Sequence, residues 1–183
     1  TALGAAAFVE RPVWEHAYLG YEDSNENNPE EIAIRLVNNK IVPLIHGKAE
    51  FSRQSLGNRC ILSSPTEANI NKINNIKNRH ADSWMSYAFV CQERHVDSLF
   101  DTYSKDNFMC FSADSKGSSH RVSGPVTKLL VVNTSKNAFL NKVLQITSDK
   151  GLPVVMMADL CLDDKPLINS VQQFEENLKQ RFY

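Results

Sequence analysis

The segment Asp114–Pro125, with the sequence DSKGSSHRVSGP, holds the densest group of residues that could bind an anion. Its glycines can leave backbone N–H groups free, and its serine hydroxyls and basic side chains supply further hydrogen-bond donors. This composition is typical of a phosphate site, in which His120 would act as a general acid or base. The predicted phosphate-binding residues are Lys116, Gly117, Ser118, Ser119 and Arg121. The same polarity also fits a solvated connection between two strands.

A second candidate site follows the apolar segment Leu152–Ala158, where Asp159, Asp163 and Asp164 occur close together. Ligands of open α/β sheets bind beyond the carboxyl ends of strands, and an aspartate there can hold a hard cation or act as a base. Asp163 or Asp164 could instead cap the following helix. We therefore predict Asp159, together with His120, as the catalytic pair, and leave the presence of a metal open.

The third candidate is a basic surface in the segment 32–80, which has eight basic and two acidic residues. The preceding segment 1–31 has one basic and seven acidic residues, although the whole chain has a net charge of only −1. Its predicted helix 65–79 carries five asparagines, which are mediocre helix formers, and lysines that can neutralise phosphates. Compositional drift on a tolerant surface would produce the same pattern. The predicted nucleic-acid-binding residues are Lys48, Arg53, Arg59, Lys72, Lys77 and Arg79.

Several functional classes lose their support because their motifs are absent. The sequence contains no GxGxxG, GxxxxGK[ST], HExxH or GxSxG motif and no EF-hand loop. The four cysteines form no CxxC pair, and their apolar neighbours predict reduced, buried thiols. No apolar run approaches the roughly 20 residues of a membrane span, and no signal peptide is apparent. The sequence therefore predicts a cytoplasmic protein with no membrane partner and no cofactor.

Helix and strand signals divide the chain into an N-terminal acidic extension, residues 1–28, and a single α/β-type domain, residues 29–183. The extension ends in an Asn-rich, acidic stretch without apolar residues. Within the domain we expect helices at 29–39, 65–79, 96–103, 137–149 and 166–182, and strands at 41–45, 84–91, 108–113, 126–132 and 152–158.

This order predicts an α+β or α/β fold with a mixed sheet. Residues 83–160 follow the ferredoxin-like βαββαβ order and precede a C-terminal helix. The alternative is a three-layer sheet that also includes the strand and helix before residue 64. The C-terminal helix shows an apolar stripe that should dock on the sheet, consisting of Leu167, Val171, Phe174, Leu178 and Phe182.

Three functions are compatible with these features. The first is a binding protein that uses the basic surface to engage an anionic partner, most plausibly nucleic acid, with the acidic extension as an intramolecular cover. The second is an enzyme, a phosphoesterase or transferase, that acts on a phosphate-containing substrate through the 115–124 loop, His120 and Asp159. The third is a protein interaction or inhibitor module anchored by Trp14, Tyr18 and Tyr21. The sequence leaves catalysis undecided among them.

Overall fold

A computed structural model of the protein describes residues 16–25, 28–52, 54–77, 88–103, 109, 112–116, 127–161 and 167–182. The strands in these residues are β1 (Tyr18–Glu22), β2 (Val42–Ile45), β3 (Lys48–Glu50), β4 (Arg59–Ser63), β5 (Ala88–Gln92), β6 (Phe100–Thr102), β7 (Ser112–Ser115), β8 (Thr127–Val132) and β9 (Val154–Asp159). The helices are α1 (Pro29–Val37), α2 (Glu67–Ile76), α3 (Val96–Leu99), α4 (Ala138–Asp149), α5 (Val171–Asn177) and α6 (Lys179–Phe182).

Side-chain caps fix where the longer helices begin. Asn28, Thr66, Asn137 and Ser170 each accept a hydrogen bond from a backbone N–H of the first helical turn. These bonds satisfy donors that the first turn of a helix leaves without an intrahelical partner. Pro29 adds a preset φ at the first position of α1. The helix starts predicted at Asn28 and Asn137 are therefore confirmed.

Seven of these strands form one mixed sheet in the order β2-β4-β9-β5-β8-β7-β6, while β1 and β3 form a separate antiparallel pair. Strand β5 lies parallel to β8 and antiparallel to β9, and β7 lies antiparallel to β8. The predicted mixed α/β fold is confirmed. The sheet contains the predicted ferredoxin-like βαββαβ unit in its strands β5, β7, β8 and β9. Strands β2 and β4 extend that unit beyond β9, as the three-layer alternative expected for the strand before residue 64.

Alternation along the strands divides the apolar residues into two cores, one on each face of the sheet. Val155 and Met157 of β9 face one core with α1 and α4, whereas Val154 and Met156 face the other core with α2, α3 and α5. The pleat of a strand sends successive side chains to opposite faces, so β9 must be apolar throughout. The protein is thus a three-layer sandwich with helices on both faces of the sheet.

The described part of the predicted N-terminal extension, residues 16–25, packs on the domain. Strand β1 pairs with β3, and the Tyr18 hydroxyl donates to the Leu56 carbonyl at 2.8 Å. Near the C-terminus the Asp23 carboxylate accepts from the Val171 N–H at 2.8 Å. Ala17 is buried in the core on the α1 and α4 face. Backbone pairing and side-chain contacts therefore cross the boundary that we predicted at residue 28.

Several local predictions were wrong. Strands β1, β3 and β4 were not anticipated, although Cys60, Ile61 and Leu62 of β4 are fully buried. The predicted helix 96–103 ends at Leu99, because Phe100–Thr102 pairs with β7. The predicted C-terminal helix begins at Val171 rather than Pro166 and breaks at Leu178. Pairing with distant strands decides β1, β3, β4 and the end of the helix at Leu99, and local periodicity does not register such pairing. The C-terminal helix instead starts where the Ser170 side chain caps it.

Two further sequence predictions can be compared with the structure. Cys60 and Cys91 are buried free thiols, as expected, whereas Cys161 is partly exposed and Cys110 lies outside the described residues. Burial raises the pKa of the Cys91 thiol to about 12. Across the described helices, none is long and apolar enough to cross a membrane.

The C-terminal stripe supplies a stability test. Phe174 is buried against Phe182, with ring centroids 5.6 Å apart. We expect Phe174→Ala to lower the free energy of unfolding by about 3–5 kcal/mol, since it removes a buried ring and leaves a cavity. Urea unfolding at two protein concentrations measures the loss, with the exposed Gln172→Ala as the matched control. A loss that depends on protein concentration would contradict the core assignment and indicate a dimer surface.

Candidate functional site

One end of the sheet gathers the ends of six strands, and we call it the Asp159 end. Strands β2, β7 and β9 finish there, and β4, β5 and β8 begin there, because Ile45 pairs with Arg59, Cys60 with Asp159 and Ala113 with Thr127. The connection from β7 to β8, which contains the predicted phosphate loop, leaves and re-enters the sheet at this end. The topology therefore places the end of β7 and the start of β8, which flank that loop in sequence, at the same end of the sheet as Asp159.

Asp159 and Lys128 share one face of this end. Alternation places Lys128 on the side of Leu130 and Val132, and Asp159 on the side of Val155 and Met157, which all line the same core. Two consecutive residues of the segment 50–58 contact these side chains, one each. The Ser55 N–H donates to Asp159 Oδ1 at 2.7 Å, and the Lys128 ammonium donates to the Gln54 side-chain oxygen. One short loop thus contacts both the Asp159 carboxylate and the Lys128 ammonium, which lie on the same face of the sheet with β5 between their strands.

Lys77 approaches the Asp159 end from the opposite face. It follows α2, its side chain is buried, and its Nζ donates to the Asp159 backbone carbonyl at 3.0 Å. This contact ties the end of α2 to the end of β9. Among the described residues, Ser55 N–H is the one donor that contacts the Asp159 carboxylate, and it does so at Oδ1.

Glu50 holds the backbone of the segment 50–58 in place. Its Oε1 accepts hydrogen bonds from the N–H groups of Leu56, Asn58 and Arg59, at 2.9, 2.6 and 3.1 Å, and from the Ser55 hydroxyl. A carboxylate that accepts several backbone N–H groups makes strong, charge-assisted bonds. Glu50 thereby fixes the loop that presents Gln54 and Ser55.

Arg59 is fully buried at the start of β4, where all five of its N–H groups meet backbone carbonyls. The acceptors are the carbonyls of Tyr21, His46, Gly47, Asn58 and Asn169, at 2.9–3.1 Å. Burial lowers the pKa of the guanidinium, and the neighbouring carboxylates of Glu50 and Asp23 oppose this effect. With every donor engaged, Arg59 stabilises the fold and presents no free donor to a ligand.

Two aromatic residues near Arg59, Tyr18 and His46, have shifted pKa values. Burial raises the pKa of Tyr18 to about 12, and its hydroxyl is committed to Leu56. Burial, together with the positive charge of Arg59, lowers the pKa of His46. The His46 ring stacks on Phe139 of α4, with centroids 3.9 Å apart. Both groups are therefore neutral at physiological pH and fit a packing role.

Of the remaining predicted site residues, the structure describes three, Lys48, Lys72 and Lys116. Lys48 is exposed in β3, and Lys72 is exposed on α2. Lys116 lies at the start of the predicted phosphate loop, where its Nζ donates to the Asp97 carbonyl at 2.7 Å. The other predicted residues lie outside the described part of the chain, namely Arg53, Arg79, Gly117, Ser118, Ser119, His120 and Arg121, as do Asp163 and Asp164. Within the described ranges, no group of three or more His, Cys, Asp or Glu residues could hold a metal ion.

Sequence reasoning missed Glu50, Gln54, Ser55 and Lys128. Lys128 carried a usable signal, because it precedes the apolar strand residues 129–132 and alternation sets it on the face of Leu130. The three residues of the segment 50–58 carried none, since their importance arises from contacts with residues up to 104 positions away.

The Arg59 hydrogen bonds predict a large stability effect. We expect Arg59→Ala to lower the free energy of unfolding by more than about 3 kcal/mol, because it leaves buried carbonyls without donors. Arg94→Ala is the matched control, since Arg94 forms an exposed ion pair with Asp149 and should change stability by at most about 1 kcal/mol. Urea unfolding of both variants gives the comparison. Equal losses would contradict the assigned role of Arg59.

The lowered pKa of His46 predicts a pH dependence of stability. The unfolded chain protonates this imidazole near its ordinary pKa of about 6.5, whereas the folded protein resists protonation. The unfolded state therefore binds more protons below that pH, and the free energy of unfolding should fall as the pH drops from about 6.5. We expect His46→Gln to flatten this fall in urea unfolding measured across the range. Identical pH profiles for the variant and the wild type would contradict the prediction.

Solved structures with the same fold belong to larger proteins. HypF of T. kodakarensis matches with a TM-score of 0.63 and 10% identity, covering 86% of this chain and 20% of that one. The H234A/Y235A variant of P. abyssi Sua5 matches with a TM-score of 0.60 and 10% identity, covering 88% and 47%. A full-length HypF in a phosphate- and nucleotide-bound form matches with a TM-score of 0.57 and 9% identity, covering 88% and 21%. At these identities the similarity establishes the fold.

Sequence comparison gives a more specific result. An uncharacterized protein of Methanocaldococcus jannaschii is 28% identical over 151 residues, which are 76% of this chain and 28% of that protein. The chain thus spans less than a third of this curated relative. A model of the carbamoyltransferase C-terminus matches residues 33–181, which include the Asp159 end and every element from β2 to α5. On the strength of this match over most of its length, the chain belongs to the carbamoyltransferase C-terminal family.

Proposed function

We propose that this chain is the substrate-binding domain of a carbamoyl-transferring enzyme and binds a phosphate-bearing carbamoyl donor at the Asp159 end of the sheet. The observation that carries the proposal is that Lys128, Asp159 and the two strand ends that flank the 115–124 loop lie at one end of the sheet. Membership of the carbamoyltransferase C-terminal family supports a carbamoyl group in the proposed donor. The phosphate- and nucleotide-bound form of a HypF with the same fold supports the phosphate.

In the proposed site, one group of residues binds the phosphate of the carbamoyl donor. Lys128 and the loop residues Gly117, Ser118, Ser119 and Arg121 hold the phosphate, by a charge-assisted contact and by hydroxyl and backbone donors. Lys116 anchors the start of the loop through the Asp97 carbonyl. In the transfer step the acceptor nucleophile bonds to the carbamoyl carbon, and the bond from that carbon to the phosphate oxygen breaks. The phosphate leaves with the electron pair.

Asp159 and His120 complete the proposed site as proton-transfer residues. Asp159 accepts the proton of the acceptor nucleophile on Oδ2, while Oδ1 stays bonded to the Ser55 N–H. His120 supplies a proton to the departing phosphate. Because the chain spans 28% of its curated relative, the acceptor site belongs to another part of the full-length protein in this proposal.

A nucleic-acid interface has weaker support. Of the six basic residues predicted for it, Arg59 and Lys77 are buried and donate to backbone carbonyls. Lys48 and Lys72 lie on different elements of the domain. Nucleic-acid binding needs several cations along one backbone track, because each neutralised phosphate adds to affinity. Failure to bind duplex or single strands at about 50 mM salt would rule out this alternative.

Removal of the Lys128 charge tests the donor site. In the full-length protein we expect Lys128→Ala to weaken carbamoyl phosphate binding about tenfold or more, because a charged hydrogen bond is lost. Isothermal titration calorimetry with carbamoyl phosphate measures the change. Lys142→Ala is the matched control, because Lys142 is an exposed lysine on α4 and should leave affinity unchanged. Unchanged affinity in Lys128→Ala would exclude this end of the sheet as the donor site.

Asp159→Asn separates catalysis from binding. The amide keeps an oxygen that can accept from the Ser55 N–H, so the loop should stay in place while the proton acceptor is lost. We expect kcat for carbamoyl transfer to fall by about 10²–10⁴ with nearly unchanged donor affinity. Release of phosphate from carbamoyl phosphate, followed with the full-length protein, gives kcat. Wild-type kcat in the variant would exclude Asp159 as the base.

A further inference from the structure

A second cleft, of about 510 Å³, lies beside the start of β2. It is bounded by the end of α1, by Ile41 just before β2, by α2 and by α6. Its lining comprises Arg35, Asn39, Lys40, Ile41, Lys72, Asn75, Ile76, Arg181 and Phe182. We call it the basic cleft. It shares no lining residue with the proposed carbamoyl-donor site, so the two sites can be tested separately.

Four cations converge on the basic cleft and no acid lines it. Arg35, Lys40, Lys72 and Arg181 come from α1, the turn after α1, α2 and α6, and the other lining residues are neutral. Among the described residues, no carboxylate forms an ion pair with any of the four. Like charges held together without counter-charges repel one another, and an anion in the cleft would relieve that repulsion.

One of these cations is already positioned by the fold. Arg181 Nη1 donates to the Ile76 carbonyl at 2.9 Å, which ties α6 to the end of α2 across the cleft. A guanidinium has five donors, so four N–H groups of Arg181 remain for a ligand. Lys72 lies one helical turn before Ile76 on α2, so the two cations face the cleft from adjoining elements.

The basic cleft also has an apolar part. Ile41, Ile76 and Phe182 line it, and the Phe182 ring is held by its tilted contact with Phe174. An apolar wall beside a cluster of cations suits a ligand with a planar group and several phosphates. The volume lies in the range of small-molecule pockets, whereas a nucleic-acid strand requires an extended track of cations.

We propose that the basic cleft binds a small molecule bearing a diphosphate or longer oligophosphate. In this arrangement the phosphates lie between Lys72 and Arg181, with Arg35 and Lys40 completing the neutralisation. A planar group attached to the phosphates packs against Phe182. The site is separate from the carbamoyl-donor site and does not depend on it.

The test titrates the full-length protein with pyrophosphate and, separately, with ADP by isothermal titration calorimetry. We expect both to bind the wild type, and the double variant Lys72→Gln/Arg181→Gln to lose about a hundredfold in affinity, about tenfold for each charged contact removed. Both side chains are exposed, so the melting temperature should change little even though the exposed bond from Arg181 to the Ile76 carbonyl is lost. Lys142→Gln, which removes an exposed lysine of α4 that does not line the cleft, should bind like the wild type.

Two further variants separate the parts of the proposal. Lys128→Ala should leave pyrophosphate affinity at the basic cleft unchanged, which distinguishes failure of this site from failure of the carbamoyl-donor site. Phe182→Ala should weaken ADP but leave pyrophosphate binding nearly intact, because only ADP has a planar group. Absence of pyrophosphate binding, or equal affinity in the wild type and the double variant, would overturn the proposal. So would binding of single-stranded DNA through Lys72 and Arg181 without binding of pyrophosphate.

Discussion

The buried guanidinium of Arg59 is the interaction on which the rest of the structure depends. Five backbone carbonyls replace the water that would hydrate it, and they come from β1, from the turn after β2, from Asn58 just before β4 and from the segment before α5. A lysine could not substitute, because one ammonium has three donors and no planar fork to span these directions. Four separate parts of the chain therefore contact the Arg59 guanidinium at the point where β4 begins.

Glu50 and Arg59 form a complementary pair at the two ends of one irregular segment. Glu50 accepts from N–H groups of that segment, and Arg59 donates to carbonyls within and around it. Backbone groups that have no strand or helix partner are thus satisfied by charged side chains, which a buried loop requires. These bonds hold Ser55, Leu56 and Asn58 in place, and Ser55 and Gln54 in turn contact Asp159 and Lys128.

Much of the architecture followed from local signals, whereas the site depended on distant contacts. Helix starts at Asn28 and Asn137 and the buried character of β9 were readable, because caps and apolar runs are properties of neighbouring residues. Asp159 stood out because it follows an apolar strand. Arg59 had been predicted to bind nucleic acid, since a buried arginine and a surface arginine look alike in sequence. The difference lies in carbonyls up to 110 residues away, which no local pattern encodes.

The position of β9 has a consequence for how the chain folds. This late strand lies between β4 and β5, so the two portions of the sheet made from earlier residues cannot join until it inserts. Until then β4 and β5 each expose an unpaired row of backbone groups, which is a template for association with other chains. A nascent chain of this topology therefore carries two open sheet edges from the time β5 is made until β9 is made.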